Sequence, residues 1–280
     1  MIKPKLSIIL PGIRTQNWIS FYDRIEDSFD DHFELIIISP YELPDTLKDA
    51  DDIIHIKDSG SPARCQQMGL VNASGEYITW GADDGYFLEG KLTEAMELYE
   101  KESKSKSDIL TCKYIEGEGT STHNKHMYDE EYYKINFPEN LRTEYIPDDY
   151  WILNVGIVNT EYAKEIGGWD ASFDVTTIAH MDFAARTQRN GSRFFMMDEP
   201  IFKCSHMPDV SGDHGPIHLA QLVKDEPLFR EIYNEESSLE RKEIDLDNWK
   251  YSPEVWEVRF ESAKWWARYM EKHGGDPNET

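Results

Sequence analysis

The chain has 280 residues, 39% of them hydrophobic and 12% aromatic, with 54 acidic against 29 basic side chains and a net charge of −25. That is too apolar and too aromatic for a disordered acidic tail, and the length suits one large α/β domain or two smaller ones. The acidity argues against a duplex nucleic-acid partner, which needs a basic face to displace counterions, and against attachment to an anionic membrane by charge. Cys65, Cys112 and Cys204 are odd in number and form no C-x-x-C pair, so reduced thiols are expected rather than a disulfide framework. Neither a signal-peptide pattern nor an apolar run of roughly 18 residues is seen, and a cytoplasmic protein is expected.

Leu6 to Leu10 reads as a buried strand, stopped by Pro11-Gly12. A helix follows over about Trp18 to Ser28, with Trp18, Phe21, Tyr22 and Ile25 at helical spacing. Glu34 to Ser39 is a second buried strand and Ile53 to Ile56 a weaker third. Ser61-Pro62 opens a helix, Ser offering a capping oxygen and Pro being tolerated in the first turn. That helix runs to about Ala73; Glu76 to Trp80 is a fourth strand, leading into Gly81-Ala82-Asp83-Asp84-Gly85. A helix near Leu88 to Glu102 and a strand over Asp108 to Ile115 come next.

From Glu116 to Asp149 the pattern dissolves, with nine acids and three bases, into what reads as a binding excursion. Order returns at Trp151 to Asn159, followed by a helix from Thr160, Gly167-Gly168-Trp169-Asp170, and a helix over about Ile178 to Asn190. Strands near Arg193 to Met197 and Ile201 to Ser205 complete the core, and an aromatic-rich helix is expected from about Pro253 to Lys272. Alternating strands and helices with continuous apolar strands predict an α/β fold, its mostly parallel sheet covered on both faces. Ligands of such sheets bind at the carboxyl ends of the strands.

Two adjacent carboxylates at a strand end, Asp83 and Asp84, flanked by Gly81 and Gly85, suit a hard divalent cation that also holds phosphate oxygens. An acidic turn is the plainer reading of the same string. The surrounding stretch favours the first. Ala63-Arg64, Gly69, Ala73, Gly75-Glu76-Tyr77-Ile78 and Asp83-Asp84 fall in register with the pattern of the family 2 glycosyltransferases of the GT-A fold, which this chain resembles. Lys5 to Arg14 resembles that family's opening strand and nucleotide loop, and Ile166 to Gly191 resembles its acceptor-side block.

The resemblance implies a Rossmann-like GT-A domain over 1–220, its nucleotide-sugar half at about 1–115 and its acceptor half at 116–220, then a helical extension over 221–280. It implies transfer of a sugar from a nucleotide-sugar donor, usually a UDP-sugar, to a hydroxyl of a glycan or similar acceptor, with inversion and with a divalent cation, Mn2+ or Mg2+. Donor contacts then fall to Pro11, Gly12, Arg14, Asp58, Arg64 and Asp83, the metal to Asp84 and His206, and the acceptor to Trp151, Trp169 and Asp170. The chain departs from the pattern in three places. Gly81 stands at the first metal-motif acid, Ser39-Pro40 at the end of the second strand, and Ala179-His180 where the family carries its catalytic base. The resemblance then implies His180 or Asp182, the retained acid of that block, as the base, the plainer reading of His180 being a helix histidine that packs or caps, or a weakened site.

His214 and His218 follow His206 in a glycine-rich segment that reads as a lid. Tyr128, Tyr132, Tyr133, Tyr145, Tyr150 and Trp151 offer either sugar-stacking faces or loop packing. Trp256, Phe260, Ala263, Ala267 and Met270 form a stripe for intramolecular docking or for a homodimer. Two other functions stay open. A nucleotidyltransferase on a similar fold lacks its early glycine-rich signature here, and a non-catalytic nucleotide-sugar or carbohydrate binder would account for the lost base.

Overall fold

The computed structural model describes residues 3–116, 151, 153–204 and 220–233. Its elements are β1 (Leu6–Pro11), α1 (Trp18–Ser28), β2 (Phe33–Ser39), β3 (Ile53–Lys57), α2 (Pro62–Asn72), β4 (Tyr77–Trp80), β5 (Gly85–Phe87), α3 (Lys91–Glu102) and β6 (Ile109–Glu116). They continue with β7 (Gly156–Asn159), α4 (Thr160–Glu165), α5 (Thr176–Arg189), β8 (Phe194–Cys204), one π-helical turn (Gln221–Asp225) and α6 (Glu226–Ile232).

One eight-stranded sheet carries them in the order β3-β2-β1-β4-β7-β6-β8-β5. β3, β2, β1 and β4 are parallel, β7 runs antiparallel to both its neighbours, β6 and β8 are parallel, and β5 is antiparallel to β8. Alternate residues of β1 and β2 feed two cores. Ile9, Ile36 and Ile38 face α2, α5 and α6, while Leu6, Ile8, Leu10, Leu35 and Ile37 face α1 and α3. The continuous apolar runs arise from this two-sided burial.

Local chemistry sets the ends. Ser61 caps α2 by accepting the Arg64 N–H, with Pro62 in the first turn. Gly90, at φ 70°, delays the start of α3 to Lys91. β5, three residues long, is an element that the sequence does not announce, and it requires Gly85, where a Cβ would sit 2.6 Å from the Lys203 carbonyl. The strands expected at 193–197 and 201–205 are one strand, β8, whose register against β6 shifts beside Pro200. β7 begins at Gly156 rather than at Trp151. The excursion over 117–150, His206, His214, His218 and the helix expected at 253–272 lie outside the described residues.

Residues 220–233 pack onto the domain. Phe229 and Tyr233 are buried in the core on the α5 side, Phe229 lying 6.4 Å from the Phe173 ring and stacking on Tyr233 at 4.4 Å. None of the described helices is long and apolar enough to cross a membrane.

Candidate functional site

The chain moves outward from β1 to β2 and β3, then returns to place β4 on the other side of β1. In such sheets the position beyond the carboxyl ends of the strands at this reversal is where ligands usually bind. Two loops meet there, Gly12–Asn17 after β1 and Gly81–Asp84 after β4. Asp83 fastens them together. Its carboxylate accepts the N–H groups of Ile13 at 2.6 Å and Arg14 at 2.5 Å, the Arg14 guanidinium at 2.5 Å and the Trp18 indole N–H at 3.4 Å. The Asp83 carbonyl also accepts from the Asn17 amide at 2.7 Å. Asp83 is 2% exposed, so this carboxylate, expected at the donor, organises the loop after β1 from within.

Asp84 stands beside it, its carboxylate 3.8 Å from the Arg14 guanidinium. At Gly81, where the resembled pattern has an acid, a Cβ would come 3.0 Å from the Phe21 ring and 3.2 Å from the Phe202 ring, a tight fit. Gly12 likewise makes room for protein rather than ligand, since a Cβ would approach the Trp18 indole nitrogen to 2.8 Å. Pro11 ends β1 and continues its pairing with β2 opposite Ile38.

Asp58, just past β3, and Arg64, in the first turn of α2, form a two-pronged ion pair with contacts of 3.2 and 3.0 Å. Asp58 also accepts the Gly60 N–H at 2.7 Å, which fixes the turn leading into α2. Both side chains are largely buried, at 15% exposure for Arg64 and 12% for Asp58. The structure thus brings Arg14, Asp83 and Asp84 together at one loop junction, and pairs Asp58 with Arg64 at the start of α2.

Residues 166–191, expected on the acceptor side, form a tightly hydrogen-bonded framework. Gly167 and Gly168 adopt φ 93° and 66°, left-handed conformations that suit glycine. Arg186, fully buried, donates to the Ile166 carbonyl at 2.6 Å, to the Gly168 carbonyl, and to Asp182 at 2.9 Å. Gln67 of α2 grips the same turn, donating to the Gly167 carbonyl at 3.0 Å and accepting the Trp169 N–H at 2.7 Å.

Four of the expected site residues, Asp182, His180, Trp169 and Asp170, are buried in this packing. Asp182 is 0% exposed and lies between Arg186 and the Tyr233 hydroxyl, which donates at 2.7 Å; it is held inside the domain, not presented to an acceptor. His180 is 7% exposed, hydrogen-bonded to Gln66 at 2.9 Å and packed 5.4 Å from the Trp80 ring. Burial pushes its pKa down to about 3, which keeps the imidazole neutral. Trp169 is 0% exposed and meets Trp80 edge-on at 5.1 Å, so it has no open face for a sugar. Asp170 turns inward too, accepting the Ser172 N–H at 2.8 Å. Trp151 is half-buried, stacked on Phe194 at 6.2 Å.

Asn17, Trp18, Gln66, Gln67, Arg186 and Tyr233 hold these residues in place, and the sequence marked none of them as site residues. The arginine four residues after Asp182 was the available signal, because that spacing places the pair on one helix face. The distant partners carried no local signal.

No family model and no curated protein sequence matches the chain. Solved structures do. S. aureus TarS 1-349 in complex with UDP superposes with a TM-score of 0.52 at 16% identity, over 81% of this chain and 69% of that one. The same protein with UDP-GlcNAc gives 0.52 at 15%, over 81% and 70%. The fold is GT-A-like. Against the longer TarS structure the TM-score is 0.51, and the chain spans 42% of that protein's length.

Proposed function

We propose that this protein is a glycosyltransferase that uses a nucleotide-sugar donor, a UDP-sugar first among the candidates. The observation that carries the reading is the Asp83 junction. It joins the loops after β1 and β4 at the point where strand order reverses, with Arg14 and Asp84 alongside. The likeness to a fold solved with UDP and with UDP-GlcNAc supports it.

The charges at the site fit a divalent cation. Asp83 and Asp84 both lie beside Arg14, and Asp58 beside Arg64, so three carboxylates stand with two guanidinium groups where an anionic diphosphate would arrive. Among the described residues no three acidic, His or Cys side chains cluster into a metal cage. Asp84 would therefore hold the cation together with oxygens of the ligand, as magnesium and manganese sites with few protein ligands do. When bound, the cation would neutralise charge on the departing diphosphate. The chain's own part is to hold the donor loop in shape through Asp83 and to hold the Arg14 and Arg64 guanidinium groups in fixed orientation through their carboxylate partners.

Inversion at the anomeric carbon requires a base for the acceptor hydroxyl. The burial of both His180 and Asp182 favours a second reading, a nucleotide-sugar binder with weak or no transfer activity. Calorimetric titration with UDP and UDP-sugars, with and without manganese, followed by transfer assays on a glycan panel, separates the two. Binding with transfer supports the enzyme, binding without transfer supports the binder, and no binding of any nucleotide or nucleotide sugar rejects both.

A further inference from the structure

α5 begins without a capping side chain of its own, because its N-cap residue is Val175. The first N–H groups of a helix need partners when buried. Here an acceptor comes from fifty residues further along the chain. The Asp225 carboxylate, fully buried in the π-helical turn before α6, accepts the Val175 N–H at 2.7 Å and the Asp174 N–H at 3.0 and 3.1 Å. Lys224, next to it, reaches the Asp174 carboxylate at 2.6 Å. The same loop is tied to the donor side. The Asp174 carbonyl accepts the Ala63 N–H at 3.3 Å, and the Phe173 carbonyl accepts from the Ser61 hydroxyl at 3.5 Å. Ser61 caps α2, and Arg64 lies in that first turn.

We propose that Asp225 is a positioning residue that sets the N-terminal turn of α2, and with it Arg64, through the peptide groups of residues 173–175. The role assigned to Arg64 rests on the nucleotide-sugar reading above; the mechanical coupling does not. The path has two hydrogen-bonded steps. Asp225 fixes the direction of the 174–175 peptides, and the Asp174 carbonyl then fixes the Ala63 amide. A purely local cap would hold α5 and leave α2 unaffected. Asp225→Asn keeps a carbonyl oxygen that can accept the same N–H groups, whereas Asp225→Ala keeps none.

Amide-resolved hydrogen exchange on the full chain tests the coupling, with Asp225→Ala and Asp225→Asn compared with the parent. In Asp225→Ala, exchange at Asp174 and Val175 should accelerate, and so should exchange at Ala63, which Asp225 does not touch, by about tenfold, the scale of one lost hydrogen bond. Amides of β1 and β2 should be unchanged, and Asp225→Asn should stay near the parent. Faster exchange at Asp174 and Val175 with Ala63 unchanged would overturn the proposal, as would an asparagine variant no better than alanine at Ala63. UDP titration of the same proteins reads the donor side. Asp225→Ala should bind several-fold more weakly than the parent, and Asp225→Asn close to it. A parent that binds no nucleotide counts against the proposed function, while the exchange at Ala63 still decides the coupling.

Discussion

Asp83 and Asp84 are neighbours with different tasks. Asp83 is filled by two backbone N–H groups, an arginine and an indole, whereas Asp84 stands at the loop junction near Arg14. Asp84→Ala should therefore leave thermal stability almost unchanged while removing the manganese-dependent part of donor affinity. Calorimetry with and without manganese checks it, and equal affinity with metal in mutant and parent would reject the assignment. Asp182 behaves in the opposite way. Removing one partner of a buried ion pair leaves the other charge uncompensated, so Asp182→Ala should cost about 3–5 kcal/mol by urea denaturation. A variant as stable as the parent would argue against the framework role. The pattern D-F-A-A-R was visible in the sequence, but its role was not. Spacing shows which residues share a helix face without showing whether that face meets solvent or core.

At the scale of elements, the parallel half was legible because β1, β2 and β4 are buried on both faces and read as unbroken apolar runs. β5 escaped because three residues give no periodicity, and its existence depends on Phe202 and Lys203 more than a hundred residues away. β8 unites the two strands expected on either side of Pro200; a proline lacks the N–H that a ladder needs, and the structure absorbs it at a register shift against Lys113. The turn before α5 offers a test of the framework. Gly168, at φ 66°, has no room for a side chain: a Cβ would lie 2.3 Å from the Gln67 side-chain oxygen and 2.4 Å from Leu70. Gly168→Ala should destabilise by at least about 1 kcal/mol, the left-handed backbone alone accounting for that much. A urea midpoint shifted downward with an unchanged slope is the expected result, and an unshifted midpoint would show that the turn yields.

Across the whole molecule, 54 acidic groups set the background on which any single carboxylate titrates, and Asp225 stands apart from them. Burial raises its pKa from 3.8 to about 7, against the pull of the Val175 and Asp174 N–H groups. Of the charged groups facing it, the Asp174 carboxylate raises the pKa further and Lys224 lowers it. In the unfolded chain this acid loses its proton near pH 4; in the folded protein it holds on until near pH 7. The folded state therefore binds the proton more tightly. Its contribution to stability is fully present below about pH 4 and is lost as pH rises through about 7. The difference in unfolding free energy between parent and Asp225→Asn should fall by a figure on the order of 4 kcal/mol between pH 4 and pH 8, since asparagine keeps an acceptor but does not titrate. Chemical denaturation of both proteins at intervals across that range measures it. Parallel stability curves would mean that Asp225 ionises in the folded protein as readily as in the unfolded chain, and a difference growing with pH would mean that its N–H partners outweigh its burial.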